Sequence, residues 1–127
     1  MGEMTEEQIH MAVVQYLNVV LPDGSVVHHS PNQMKAKIGW HAKLKKLGML
    51  KGFPDLMIMA PSEAYIFPEM AAPIFFEIKS ATGRLSEAQK GTLNALQGCD
   101  AYTAVVRSVD DAEEHLKTIL SFRGGQR

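Results

Sequence analysis

The chain has 127 residues, of which 46% are hydrophobic and 21% charged, with a formal net charge of −1. These totals suit one domain able to bury roughly two-thirds of its unfolded surface, and they exclude binding driven by overall basicity. A single cysteine, Cys99, excludes an intrachain disulfide framework and a cysteine-rich zinc site.

The first element is a helix over Met4 to Val20. Thr5 is its N-cap with Gln8 three residues on, and Ile9, Ala12, Val13, Tyr16, Leu17 and Val20 form its apolar stripe. Its acidic opening (Glu3, Glu6, Glu7) is unlike a signal peptide, and no apolar run reaches the roughly 18 residues of a membrane span. A soluble, cytoplasmic protein is expected, with neither a membrane partner nor a nucleotide cofactor. "LPDGS" is a turn, and Val26 to His29 begins a short strand that "SPN" ends.

Met34 to Gly52 is the charge-polarised segment. It holds Lys35, Lys37, Lys43, Lys45, Lys46 and Lys51, the only tryptophan, Trp40, and no acid. Trp40 to Leu47 reads as a helix closed by Gly48. Such a run is often only a solvated face, but six cations without an acid also suit contacts to a phosphate backbone. Arg84, in the later "TGR" turn, is a similar candidate.

"KGFPDLMIMA" supplies a turn and a hydrophobic strand from Asp55, and Ala60 to Ala72 is a loop or hairpin connection. The strand "IFFEIK" comes next. Its side chains alternate, so Phe76 and Ile78 share one face while Glu77 and Lys79 share the other. Ser86 with Gln89 caps a helix to about Gln97, with Gly98 following it. "AYTAVVR" is a strand, and Ser108 caps a last helix from Val109 to Leu120. Residues 122–127 form a tail expected to fray. The order predicts one α/β domain over 1–127, a central mixed sheet flanked by helices.

Asp55, Glu77 and Lys79 carry the chemistry, with Glu6, whose i, i+3, i+7 spacing to Ile9 and Val13 turns it toward the core side. Converging carboxylates repel, and a hard divalent cation relieves the repulsion. Mg²⁺ suits few carboxylates, retained waters and substrate phosphate oxygens. An adjacent lysine can orient or deprotonate water, or stabilise a pentavalent transition state, which together describes phosphodiester hydrolysis. Each residue also has a plainer reading. Glu77 and Lys79 alone fit a cross-face ion pair on a half-exposed strand, Asp55 a turn residue after Pro54, Glu6 a helix-dipole acid, and Gln89 a capping-box member. His28, His29 and His41 lack the partner spacing of a zinc site and read as strand-edge or surface residues. The methionines read as core filler, and Arg107 as either structural or phosphate-reaching.

"PD…ExK" (Pro54-Asp55 with Glu77-Ile78-Lys79) resembles the PD-(D/E)XK nuclease signature. "TEEQIH", "AKLKKLGMLKGFPDLMI", "FFEIKSATGRLSEAQ" and "AVVRSVDDA" resemble the VRR-NUC (virus-type replication-repair nuclease) family within it, in order along nearly the whole chain. The resemblance implies a restriction-endonuclease-like α/β core. It implies Asp55 and Glu77 as metal ligands with the Ile78 backbone carbonyl, Lys79 as the catalytic lysine, Gln89 as a supporting residue, and Glu6 (or adjacent Glu7) as a further acid. It implies Mg²⁺, replaceable by Mn²⁺, and a homodimer cutting branched DNA such as four-way (Holliday) junctions in a bacterial or phage-infected cell. The rival expectations are a flap-type or general DNA nuclease and a non-cutting DNA-binding module.

Overall fold

A computed structural model describes residues 3–30 and 40–121 of the chain. Helix α1 (Glu6–Val20) begins where Thr5 and Gln8 close a reciprocal capping box, Thr5 Oγ1 accepting from the Gln8 amide and Gln8 Oε1 from the Thr5 amide. Strand β1 (Val26–His29), the short helix α2 (Trp40–Lys46) and strand β2 (Leu56–Met59) follow. The 60–72 connection, which joins the antiparallel strands β2 and β3, contains two 3₁₀ turns, Ser62–Ala64 and Pro68–Met70. Its Tyr65 is buried, bridging to Leu120 and donating its hydroxyl to the Ala72 carbonyl at 2.6 Å. Strand β3 (Ile74–Ile78), helix α3 (Glu87–Gly98), strand β4 (Tyr102–Val106) and helix α4 (Val109–Ile119) complete the chain.

The sheet order is β1-β2-β3-β4, with β1–β2 and β2–β3 antiparallel and β3–β4 parallel. This is the expected mixed sheet flanked by helices. α3 makes the crossover that a parallel pair needs. One sheet face, with Leu56, Ile58, Ile74, Phe76, Ile78 and Val106, packs against Ile9, Val13 and Leu17 of α1 and Ala112, Leu116 and Ile119 of α4. These are the apolar stripes of amphipathic helices, buried where they meet the sheet. The opposite face belongs to Phe75, Glu77, Thr103 and Val105, and α3 lies over it.

Two local expectations need correction. Gly98 does not stop α3; it is the helix's last residue, Cys99 is the C-cap, and Asp100 takes the left-handed conformation (φ 67°). A short acidic side chain is among the few that tolerate that region. Among the described residues no methionine is buried, and Met4, Met11, Met59 and Met70 are exposed, so methionine is not the core filler. Branched and aromatic side chains fill the core instead. β3 is buried along its whole length, which removes the plainer reading of Glu77 and Lys79 as an ion pair on a half-exposed strand. Among the described residues, no helix is long and apolar enough to cross a membrane.

Candidate active site

Asp55 immediately precedes β2. Continuing the pairing of Leu56 with Phe76 by one rung sets Asp55 opposite Glu77. Residues opposed across an antiparallel ladder project from the same face, so the two carboxyl groups meet on the side covered by α3. The Ile78 amide donates to Asp55 Oδ2 at 2.8 Å and holds that carboxylate in place. In an extended strand the N–H and C=O of one residue point toward the same edge, so the Ile78 carbonyl also faces the Asp55 side.

Gln89 reaches down from the first turn of α3. Its Oε1 accepts from the Ser86 amide at 2.8 Å and its Nε2 donates to Glu77 Oε2 at 3.0 Å. The capping reading and the site reading of Gln89 are therefore both satisfied by one side chain. Lys79 Nζ stands 3.8 Å from Glu77 Oε2, an ion-pair contact longer than a hydrogen bond.

Asp55, Glu77 and Lys79 are exposed by only 5%, 1% and 8%, and the one other buried polar residue among those described, Thr92, belongs to the same region. Its hydroxyl donates to the Lys51 carbonyl at 3.2 Å. Burial concentrated on one acid pair and one lysine is costly, and so it marks this place among all others on the fold. The Glu77 carboxyl is pushed up to about 8, chiefly by burial, then by the Asp55 charge and a hydrogen bond shared with Asp55. Lys79 pulls the other way but is outweighed. Among the described residues, Glu77 Oε1 is buried without a hydrogen-bond donor.

Glu6, at the start of α1, is near enough to add to the upward push on Glu77. Among the described residues no three His, Cys, Asp or Glu side chains form a cation-holding group. The acid pair is thus Asp55 and Glu77, with Glu6 contributing to its field.

Two participants escape sequence reading. His10 packs edge-on against His29 with ring centroids 4.6 Å apart, and His29 Nδ1 lies 3.2 Å from the Asp55 carbonyl oxygen. Burial and His29 lower the His10 pKa, against opposing pulls from Asp55, Glu6 and Glu7. The available signal was its i+4 spacing from Glu6, which puts both on one face of α1. Gly52 is the second. At φ +81°, a Cβ there would lie 2.6 Å from the Ala88 carbonyl carbon and 2.8 Å from the Gln89 nitrogen. Only glycine lets the turn before Asp55 seat against the start of α3.

Arg107 is structural. Its Nη1 donates to the carbonyls of Ser80 (2.6 Å) and Gly83 (2.8 Å), clasping the turn that follows Lys79. Arg84, in that turn, is exposed, as are Lys43, Lys45, Lys46 and Lys51. Lys35, Lys37, the His41 side chain and the 122–127 tail lie outside the described residues. His28 and His29 sit on β1, an edge strand, as expected.

The family model of the VRR-NUC domain matches residues 6–110. A solved structure described as a VRR_NUC domain protein is similar with a TM-score of 0.67 at 21% identity, covering 92% of this chain and 92% of that one. At that identity the likeness speaks for the fold. No curated protein sequence matches the chain.

Proposed function

The chain belongs to the VRR-NUC domain family and is a nuclease-type domain; from that premise we propose that it is a Mg²⁺-dependent endodeoxyribonuclease, able to use Mn²⁺. It would act as a homodimer on branched DNA in the cytoplasm. One observation carries the catalytic part: the buried charged residues of the described fold are Asp55, Glu77 and Lys79, side by side.

The donor set fits a hard cation. Two carboxylates, one of them with a buried oxygen that has no donor, and a backbone carbonyl on the same edge are oxygen ligands of the kind Mg²⁺ prefers. Asp55 and Glu77 would hold it, with the Ile78 carbonyl beside them and Glu6 adding negative field. When bound, the cation would offset the carboxylate repulsion and draw charge from the scissile phosphate.

The protein's own groups perform the rest. The Ile78 amide and Gln89 hold the Asp55 and Glu77 carboxyl groups from opposite sides, so neither must be ordered when substrate arrives. Glu77 loses its proton as the site is loaded. Lys79 directs its ammonium hydrogens at the attacking water and at the phosphate oxygen that gains charge. Water adds to phosphorus and gives up a proton to the surrounding solvent as the P–O bond to the leaving sugar oxygen breaks, and that oxygen takes a proton from a solvent water. Lys43, Lys45, Lys46, Lys51 and Arg84 would hold the backbone on either side, with Lys35 and Lys37 part of the same basic run.

The test is incubation of purified protein with labelled four-way junction, flap and plain duplex, each with Mg²⁺, Mn²⁺ or EDTA. Cation-dependent cleavage, fastest on the junction, is expected. No cleavage of any substrate would overturn the enzyme reading, and equal rates on all three would remove the preference for branches. Light scattering tests the dimer, which a monomer at micromolar concentration would refute.

A further inference from the structure

Trp40 is the chain's only tryptophan, and it stands at the start of α2 with 43% of its surface exposed. Lys43, one turn on, places Nζ 5.4 Å from the ring centroid, within cation–π range. Lys43, Lys45 and Lys46 are themselves exposed, and no acid occurs between Met34 and Gly52 to neutralise them. The indole is thus a flat apolar surface in a cationic setting.

Lysines alone explain affinity for any nucleic acid, because backbone charge does not depend on whether the bases are paired. They leave an exposed indole unexplained. A base inside a duplex hides its faces in the stack, whereas an unpaired base offers a face to an aromatic ring and brings a phosphate for the neighbouring cations. The placement suits that role. Beyond α2 the chain returns through Lys51, whose carbonyl is held by Thr92, and Gly52, which is pressed against Ala88 and Gln89. Gln89 in turn holds Glu77. The turn that follows α2 is therefore seated, at Lys51 and Gly52, against the wall of the acid site.

We infer that Trp40 is a base-stacking residue that makes this domain prefer DNA carrying unpaired nucleotides, such as the opened bases at a branch. The inference rests on the reading of the chain as a DNA nuclease and names the substrate feature it selects.

Because Trp40 is the sole indole, its fluorescence reports the contact directly. Full-length protein in EDTA is titrated with a single-stranded oligonucleotide, a duplex bearing an unpaired flap, and a continuous duplex without free ends. Quenching by the first two and little change with the third is expected. Trp40→Ala should weaken binding to the single strand roughly tenfold, a typical stacking loss, and leave the continuous duplex within about twofold. Trp40→Phe keeps a stacking ring and should retain most of the single-strand affinity, which guards against a folding defect in the alanine variant. Fluorescence that stays constant while DNA anisotropy shows binding would overturn the inference, as would equal weakening for paired and unpaired DNA. No cation is present, so the outcomes separate. Quenching without cleavage in the earlier assay sinks only the nuclease reading, cleavage with a silent indole sinks only this one, and binding of no DNA sinks both.

Discussion

The acid site and α2 both gather charge, but they are mounted in opposite ways. Asp55, Glu77 and Lys79 are buried on or directly beside paired strands, and both acids are held by hydrogen-bond donors, the Ile78 amide and Gln89. α2 is a seven-residue helix whose lysines face solvent and whose Trp40 is exposed, as is Leu47 just beyond it. Bond-making chemistry needs atoms held within a fraction of an ångström, and that requires burial and hydrogen bonding. Attraction of a phosphate backbone tolerates mobile side chains, since Coulomb forces fall off gently. On the proposed reading, the contrast separates groups that would act on the reaction from groups that would act on binding.

The largest effect should come from Lys79. Lys79→Ala is expected to lower kcat on the order of 10²–10³-fold while leaving DNA affinity in EDTA nearly unchanged. A matching loss of affinity would erase the distinction between the two regions.

A second effect follows from the Glu77 proton. Its pKa is about 8 in the fold against 4.5 ordinarily, so between those values the native state holds a proton that the unfolded chain has released. Stability of the metal-free protein should then fall as pH rises through that window. His10, whose pKa is lowered from 6.5, contributes the opposite slope below that value, so the decline is best read from pH 7 to 8. Glu77→Gln should flatten it. If Mg²⁺ binds the ionised pair as proposed, it should raise Tm more at pH 8.5 than at pH 6.5. A Glu77→Gln protein with an unchanged slope would show that another group titrates.

Gly52→Ala probes the joint between the regions. The added Cβ meets Ala88 backbone at 2.6 Å in a conformation alanine resists, so a loss of about 2 kcal/mol is expected, read as a Tm drop of roughly 6–10 °C. Melting at the wild-type temperature would mean the turn is not seated on α3. The smallest effect belongs to single cations. Lys45→Ala should leave kcat intact and reduce the slope of log affinity against log salt by about 0.9.

The legible parts of the molecule were those written in local spacing. Thr5 with Gln8 and Ser86 with Gln89 form the two capping boxes their spacing predicted, because both partners lie within one helical turn. The alternation in β3 separated Glu77 and Lys79 from Phe76 and Ile78, as found. What stayed hidden depends on distant segments meeting. Gly52 matters only because Ala88 arrives beside it, and His10 only because β1 brings His29. Arg107 could not be assigned from sequence, because the carbonyls it clasps lie 24 and 27 residues away. The cover over Glu77 likewise comes from a distant segment, since nothing in "FFEIK" says that Gln89 of α3 will close over it.

The Asp55–Glu77 pair has a practical consequence. The two acids sit on different strands and meet only when β2 and β3 align as Leu56 with Phe76, Met57 with Phe75 and Ile58 with Ile74. A slip of one residue would turn the slipped strand's acid to the wrong face. Cleavage of a labelled oligonucleotide would then serve as a folding assay for this sheet, because no chain with misregistered strands could contribute to the signal.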